Sequence, residues 1–218
     1  TLLAPWAKSA LVVGLFYQTP YPHTEEALAE AELAGSSGDD RPLWISRYAW
    51  GRDYHRVMTK MNRRLVRKLR EAFGGDRQFR QYVDAGPVME KVLARYAGLG
   101  WIGKNTMLIS PSTGSWFFLG VVFTDLELAT AETIDDHCGT CRKCLDACPT
   151  NAFPEPYVLD AERCISYRTI ETRDDELPSD LKQGMGSHLF GCDICQDVCP
   201  FNHRSPMTIL ADFQPRKP

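Results

Sequence analysis

Before Cys138 the chain has no cysteine at all, so nothing in its first part can be cross-linked by disulfides; all eight cysteines fall between Cys138 and Cys199. It also lacks a long apolar run. The longest candidates, around Leu11–Tyr17 and Trp116–Phe123, are strand-sized and fall well short of the roughly 18–20 residues of a membrane span, so no membrane segment is expected. There is no repeat of solenoid length. No charged-then-apolar leader follows Thr1, which predicts either no targeting segment or a trimmed N-terminus. The closing Asp212-Phe213-Gln214-Pro215-Arg216-Lys217-Pro218 has no terminating element, so both ends read as truncations. Net charge is small, −3 from 25 Lys and Arg against 28 Asp and Glu, which argues against a uniformly basic nucleic-acid binder. What remains is an ordinary globular composition, 44% hydrophobic over 218 residues, enough for one large or two small domains with a buried core.

The average charge hides an uneven distribution. From Arg52 to Arg80, Arg52, Arg56, Lys60, Arg63, Arg64, Arg67, Lys68, Arg70, Arg77 and Arg80 meet only Asp53, Glu71 and Asp76. Within that stretch Val57, Met61, Leu65, Leu69 and Phe73 recur at helical spacing. The pattern predicts a helix from about Tyr54 to Phe73, ended by Gly74-Gly75, with one apolar stripe and a basic remainder. That remainder is either a solvated face or a phosphate-facing surface. Ala10–Phe16 reads as a buried strand and Phe79–Val83 as a short one. Gly86-Pro87 is expected to open a helix over 88–97, since proline suits a first helical turn. Thr106–Ser110 and Ser115–Thr124 read as a hairpin joined at Pro111-Ser112-Thr113-Gly114. Short helices and loops are expected around the cysteines, and the fold class is α+β.

Cys138-x2-Cys141-x2-Cys144-x3-Cys148-Pro149 matches the bacterial ferredoxin run, in which three thiolates wrap one [4Fe–4S] cube and the fourth ligates a neighbouring cluster. A partial second copy follows, Cys192-x2-Cys195-x3-Cys199-Pro200, with Leu189 where a further cysteine would complete it. The rule assigns Cys138, Cys141, Cys144 and Cys199 to one cluster. Cys148, Cys192 and Cys195 then need a fourth thiolate, and Cys164 is the one left. A disulfide framework would need an oxidising compartment that nothing indicates. Zinc ribbons use separated CxxC pairs rather than a three-plus-one run ending in proline. Two [4Fe–4S] clusters are therefore expected.

A cluster pair alone only moves electrons, so further chemistry belongs to the first part. There the strings Val83-Asp84-Ala85-Gly86-Pro87-Val88-Met89-Glu90-Lys91, Ala97-Gly98-Leu99-Gly100-Trp101-Ile102-Gly103-Lys104-Asn105 and Gly114-Ser115-Trp116-Phe117-Phe118-Leu119-Gly120 precede the cysteine run, and Arg163-Cys164-Ile165-Ser166-Tyr167 follows it. In this order they resemble the epoxyqueuosine reductase family, from Leu3-Ala4-Pro5-Trp6 through Tyr48-Ala49-Trp50-Gly51-Arg52 to Cys199-Pro200-Phe201-Asn202. The resemblance implies a nitroreductase-like α/β cobalamin-binding domain over 1–130, a ferredoxin-like two-cluster domain over 131–205, and the start of a further region over 206–218. It implies a cob(II)alamin between the two domains, a tRNA carrying epoxyqueuosine as substrate, an external electron donor such as a flavodoxin or ferredoxin, and a cytoplasmic monomer. Glu90 stands where the family has its proton donor, with Asp84 as runner-up. Ser46, Gly114, Asp125, Ser166 and Cys195 match cobalamin contacts of the family, and Lys104 and Asn105 are expected to approach the corrin or the substrate. Family members carry residues before position 1 and often helical repeats after the clusters, so weaker binding of cofactor or substrate is expected from this stretch alone.

Several motifs have plainer readings. Glu90 in a first helical turn also suits the helix dipole. Gly98-Leu99-Gly100-Trp101-Ile102-Gly103 spells GxGxxG, yet it follows a helix and precedes a strand, the reverse of dinucleotide-binding order, and predicts a tight turn instead. Asp53-Tyr54-His55 followed by Met58 echoes a cobalamin-carrier signature without its glycine, and the family resemblance implies cobalamin held without a protein histidine, so His55 is read as packing or a polar contact and not a cobalt ligand. Two other functions fit the cluster motif: a reductive dehalogenase, usually marked by a leader that is not seen here, and a non-catalytic two-cluster electron carrier.

Overall fold

The computed structural model describes residues 4–35, 42–172 and 177–215; Leu3 and residues 216–218 of the strings quoted above lie outside them. In chain order the regular elements are β1 (Ser9–Phe16), α1 (Thr24–Leu33), β2 (Trp44–Ile45), α2 (Tyr54–Phe73), β3 (Phe79–Tyr82), α3 (Glu90–Tyr96), β4 (Trp101–Ile102), β5 (Leu108–Ile109), β6 (Phe117–Thr124), α4 (Lys143–Asp146), α5 (Ile165–Ile170), α6 (Ser179–Met185), β7 (His188–Phe190) and α7 (Ile194–Asp197). The class is α+β, as expected.

β6 organises the first part. Its near-continuous apolar run, Phe-Phe-Leu-Gly-Val-Val-Phe-Thr, suits a strand buried on both faces. It sits centrally in an antiparallel sheet of order β1-β6-β3, with Phe16 opposite Phe117 and Tyr82 opposite Val121. Phe118 meets Met58 of α2 on one face, while Val121 and Phe123 meet Leu93 of α3 on the other. A Cβ on Gly120 would lie 2.8 Å from the Asn62 amide and 3.1 Å from the Met58 methyl, so the missing side chain lets α2 settle onto the strand. α2 itself is capped by Asp53, whose carboxylate accepts from the His55 N–H at 2.9 Å.

Two expectations change. The segments flanking Pro111–Gly114 do not form one hairpin. Only Ser110 and Gly114 bridge across the turn, after which β5 pairs with β4 and β6 joins the large sheet. β6 needs partners on both edges to bury its apolar run, and β1 and β3 supply them. The helix expected from Val88 begins at Glu90, with Met89 at its N-cap and Pro87 outside it in a bend. Gly86 has φ 149°, so the backbone turns there and helical geometry is reached only afterwards.

The two parts meet along a buried polar seam. β2 pairs in parallel with β7, joining residues far apart in sequence. Asp193 accepts from the Ser46 hydroxyl and from the Arg47 N–H at 2.7 Å. Asn202 donates to the Ser115 hydroxyl at 2.9 Å, and Gln196 to the Ser115 carbonyl at 3.1 Å. The segment after the clusters folds back onto the first part: Phe213 is buried against Phe118, and Arg52 N–H donates to the Asp212 carbonyl at 2.6 Å.

Candidate active site and cluster nests

Four cysteines gather at each of two places. Cys138, Cys141, Cys144 and Cys199 line a small cavity together with Lys104 and Phe201. Cys148, Cys164, Cys192 and Cys195 line part of a much larger one of about 830 Å³. Both groupings are those of the ferredoxin rule. Short turns make them possible: α4 carries Cys144 and α7 carries Cys195, and two residues after each helix comes a cysteine, Cys148 or Cys199, that lines the other cavity. Burial pushes the Cys144 thiol up to about 11, with Cys199, Cys138 and Cys141 adding to the shift. Burial likewise raises Cys192 and Cys195, reinforced by the neighbouring thiols. Crowded sulfurs that resist ionisation alone suit a site in which iron supplies the compensating charge. Protein donors already point at sulfur: Trp101 Nε1 lies 3.4 Å from Cys138 Sγ, and Ala152 N–H 3.3 Å from Cys148 Sγ.

The large cavity draws its walls from both parts of the chain. Tyr54 at the start of α2, Asp84, and Glu90 at the start of α3 come from the first; the four cysteines, Tyr157 and Ser166 come from the second. Glu90 Oε1 is buried and has no hydrogen-bond partner. Burial holds its carboxyl above the usual carboxylate range; its own amide opposes this in part and the nearby Asp84 adds to it. Asp84 differs. Its side chain is 62% exposed and accepts from the Tyr54 hydroxyl at 2.5 Å, with His55 Nε2 at 3.1 Å. His55 also faces Asp53 at 2.9 Å, so it is a polar contact at the rim. Among the described residues, four other than glycine have positive φ, and three of them line this cavity: Asp84 at 56°, Thr106 at 61° and Tyr157 at 70°. For β-branched Thr106 that backbone is strained, and such strain concentrates at functional sites.

The expected contacts divide. Ser46, Glu90, Asn105, Ser166 and Cys195 line the large cavity, although the Ser46 hydroxyl is engaged by Asp193 and the Asn105 amide donates to the Cys195 carbonyl at 3.1 Å. Lys104, Gly114 and Asp125 lie outside that lining. Lys104 is buried and turned toward the other cysteine group, donating to the carbonyls of Gly139 at 2.6 Å and Cys141 at 2.9 Å. A Cβ on Gly114 would meet the Asn202 and Ser205 side chains at 2.2 Å, so this glycine serves the seam. Asp125 accepts from the Gln78 N–H at 3.2 Å beside Arg77, tying β3 to the end of β6. In the GxGxxG turn, a Cβ on Gly100 would lie 2.1 Å from the Ile109 carbonyl, so the glycine allows close β4–β5 pairing and not phosphate binding.

Other wall residues carry no signal in the sequence. Tyr54 reads as part of an amphipathic helix, Lys91 as a surface lysine and Tyr157 as a loop aromatic. Lys91 Nζ donates to the Thr106 carbonyl at 3.0 Å, and the Tyr157 hydroxyl donates to Asp136. The one available hint is the adjacency of Lys91 to Glu90.

Comparison with known proteins bears on both parts. The family profile described as "Epoxyqueuosine reductase QueG, DUF1730" matches residues 1–85. That of the "4Fe-4S double cluster binding domain" matches residues 137–202. Epoxyqueuosine reductase of Synechocystis sp. is 48% identical over 214 residues, which cover 98% of this chain and 69% of that protein. The enzyme of the same name from Pseudomonas aeruginosa is 49% identical over 174 residues, covering 79% of this chain and 48% of its own length. Among solved structures, an epoxyqueuosine reductase with an epoxyqueuosine-modified tRNA-Tyr stem loop superposes with a TM-score of 0.85 at 33% identity, covering 99% of this chain and 54% of that one. The chain thus spans roughly half to two thirds of the proteins it matches. Sequence identity of this extent, the shared fold and a double-cluster domain in the same place lead to one conclusion: the chain belongs to the epoxyqueuosine reductase family.

Proposed function

We propose that the chain reduces epoxyqueuosine to queuosine at the wobble position of tRNA, using two [4Fe–4S] clusters and a cob(II)alamin. The observation that carries this is a single cavity of about 830 Å³ that runs from four cysteines to a buried, unpartnered carboxyl oxygen on Glu90. One cluster is assigned to Cys138, Cys141, Cys144 and Cys199, and the other to Cys148, Cys164, Cys192 and Cys195. The cavity is at the upper end of the usual range for ligand sites, roughly 300–1,000 Å³. Its mixed apolar and polar walls, with Ser46, Asn105 and Ser166 among them, fit a macrocycle with polar edges. When bound, cobalamin supplies a low-potential metal through which electrons reach the substrate.

The chain's own residues supply the protons and the order. The reaction takes two electrons and two protons, breaks both carbon–oxygen bonds of the epoxide, and releases an alkene and water. Glu90 holds one proton at the departing oxygen, and its burial makes that proton harder to lose than on an ordinary carboxyl. Asp84, fixed by Tyr54 and His55, places a carboxylate beside Glu90 that favours the protonated acid. Asp84 is thereby a positioning residue in this reading and Glu90 the proton donor. Cys195 ties the second cluster to Asn105 on the substrate side. Among the described residues no helix is long and apolar enough to cross a membrane. The proposal takes the chain as a cytoplasmic monomer drawing electrons from a flavodoxin, a ferredoxin or a similar donor.

Anaerobic purification with added cobalamin, followed by absorption spectroscopy and nucleoside analysis of tRNA, tests the reading. Corrin bands and conversion of epoxyqueuosine to queuosine are expected, with Glu90→Gln retaining the spectra and losing conversion. Cluster absorption alone, with no corrin bands, would identify an electron carrier. Unchanged conversion by Glu90→Gln would remove Glu90 from the mechanism.

A further inference from the structure

A second cavity, of about 610 Å³, lies between α2 and β3 and is used by none of the chemistry above. One wall carries Arg63, Arg67 and Arg70, which share a side of the helix because they are four and three residues apart. Phe79 and Gln81 of β3 form another, and Glu71 is the one acid among the lining residues. The Arg70 guanidinium lies 5.8 Å from the centre of the Phe79 ring. Among the described residues, Arg63, Arg67 and Arg70 make no ion pair. Like charges one turn apart destabilise a helix, and here they are gathered in a chain whose net charge is −3. An external polyanion would relieve that repulsion.

The groove's position narrows what that polyanion is. α2 leaves the rim of the large cavity at Tyr54, and β3 returns toward it, ending at Tyr82 two residues before Asp84. The Tyr54–Asp84 hydrogen bond ties these ends together at the rim. At about 1.5 Å of rise per residue, Arg63 and Arg70 stand about 14 Å and about 24 Å along the helix from Tyr54. The Cα atoms of the three arginines step by about 6 Å and then about 4.5 Å along the axis. Three guanidiniums spread over two helical turns match a backbone that presents phosphates in series. Guanidinium forks suit phosphate oxygens, and such contacts hold a nucleic acid without reading its sequence.

We propose that this groove binds the sugar–phosphate backbone of the RNA arm whose modified nucleotide enters the large cavity. The inference rests on the function proposed above, and it adds a docking surface outside the reacting centre. It makes α2 a rail leading away from the active site, with register set by phosphates and chemistry set by the cavity.

The test compares the intact protein with an Arg63→Gln, Arg67→Gln, Arg70→Gln variant, all three side chains being exposed and outside the core. Binding of full-length tRNA is measured by fluorescence anisotropy across a salt series. Reduction of a minimal epoxyqueuosine oligonucleotide without the stem is assayed in parallel. The slope of log affinity against log salt should fall by about 0.9 for each duplex phosphate that is no longer neutralised. Affinity for tRNA should drop at least about tenfold at moderate salt, with turnover of the minimal substrate retained. A single Arg67→Lys change should keep most of the slope, because the charge remains. An unchanged slope and affinity in the triple variant overturns the proposal. So does a loss of donor-driven cluster reduction with tRNA binding intact, which would make the groove a protein-docking site. If the intact protein fails to reduce epoxyqueuosine yet shows the charge-dependent slope, the functional reading falls and the groove stands.

Discussion

In the first part of the chain, β6 alone buries Phe118, Val121, Val122 and Phe123, and Met58 and Trp116 pack beside them with no exposed surface. In the second, the buried apolar residues are scattered and mostly single: Leu145, Ile165, Leu181 and Ile194, each on a different short helix, and Ala152 in a loop. Its helices run four to seven residues, too short to be stable alone. The first part is held by apolar burial around a sheet. The second is organised around two groups of thiols and leans on the first through Ser46, Ser115, Asn105 and Lys104. Stability in a small module can thus come from ligation and from docking onto a preformed core.

The sharpest way to break this contrast is to remove one ligand. Cys164→Ser should cut iron from about eight to about four per chain after anaerobic reconstitution, and hydrogen exchange should show α5 opened with the β1-β6-β3 sheet protected. Zinc in place of iron in the intact chain would overturn the cluster assignment itself. Next in size is Glu90. Its replacement by Gln should lower turnover by about 10²–10⁴ with iron content unchanged. The same group sets the pH response. An acid works protonated, and burial raises its pKa, so turnover should be full on the acid side and fall as pH rises through that raised value. A rate that climbs through the same window would reject Glu90 as the donor.

The complementary perturbation strikes the sheet. Trp116→Ala removes a fully buried ring packed against Tyr17 and should cost about 3–5 kcal/mol. Because the cluster part docks on that core, denaturant titration should show both parts lost together; an unaffected cluster part would show that ligation suffices alone. Lys104→Met is smaller. It deletes two charge-assisted hydrogen bonds to the Cys138–Cys141 loop, worth about 1.5–3 kcal/mol. It should also lower the reduction potential of the nearby cluster by withdrawing a buried positive charge, whereas Lys104→Arg should restore much of it. Asp53→Ala, which uncaps α2, should cost only about 1 kcal/mol in thermal unfolding and leave iron content unchanged.

Legibility followed the range of the interactions. α2 was predictable almost to the residue because its stripe, its following Gly-Gly and its length are local properties of one segment. Cys199 joined its group through the ferredoxin spacing and Cys164 only as the cysteine left over, and each lines the same cavity as the three cysteines it was grouped with. The supposed 106–124 hairpin failed where pairing partners compete, since a doubly buried strand takes two neighbours from elsewhere in the chain. Lys104 and Asn105 are adjacent in sequence. One clamps the Cys138–Cys141 loop and the other lines the large cavity, a division made by a Gly-rich turn whose direction no local pattern reports.

The amino-acid sequence alone determined the α+β class, the basic amphipathic helix and the cysteine run with its partial second copy, because each depends on periodicity or spacing, whereas Glu90 became a candidate only through the family resemblance of the strings around it. Tertiary structure alone decided that β2 pairs with β7, that Phe213 returns to the first core, and that Glu90 shares a cavity with four cysteines. The physical reason is distance along the chain. Local pattern records which face of an element is apolar, but which distant element covers that face is settled only when burial, hydrogen bonding and close approach are satisfied together.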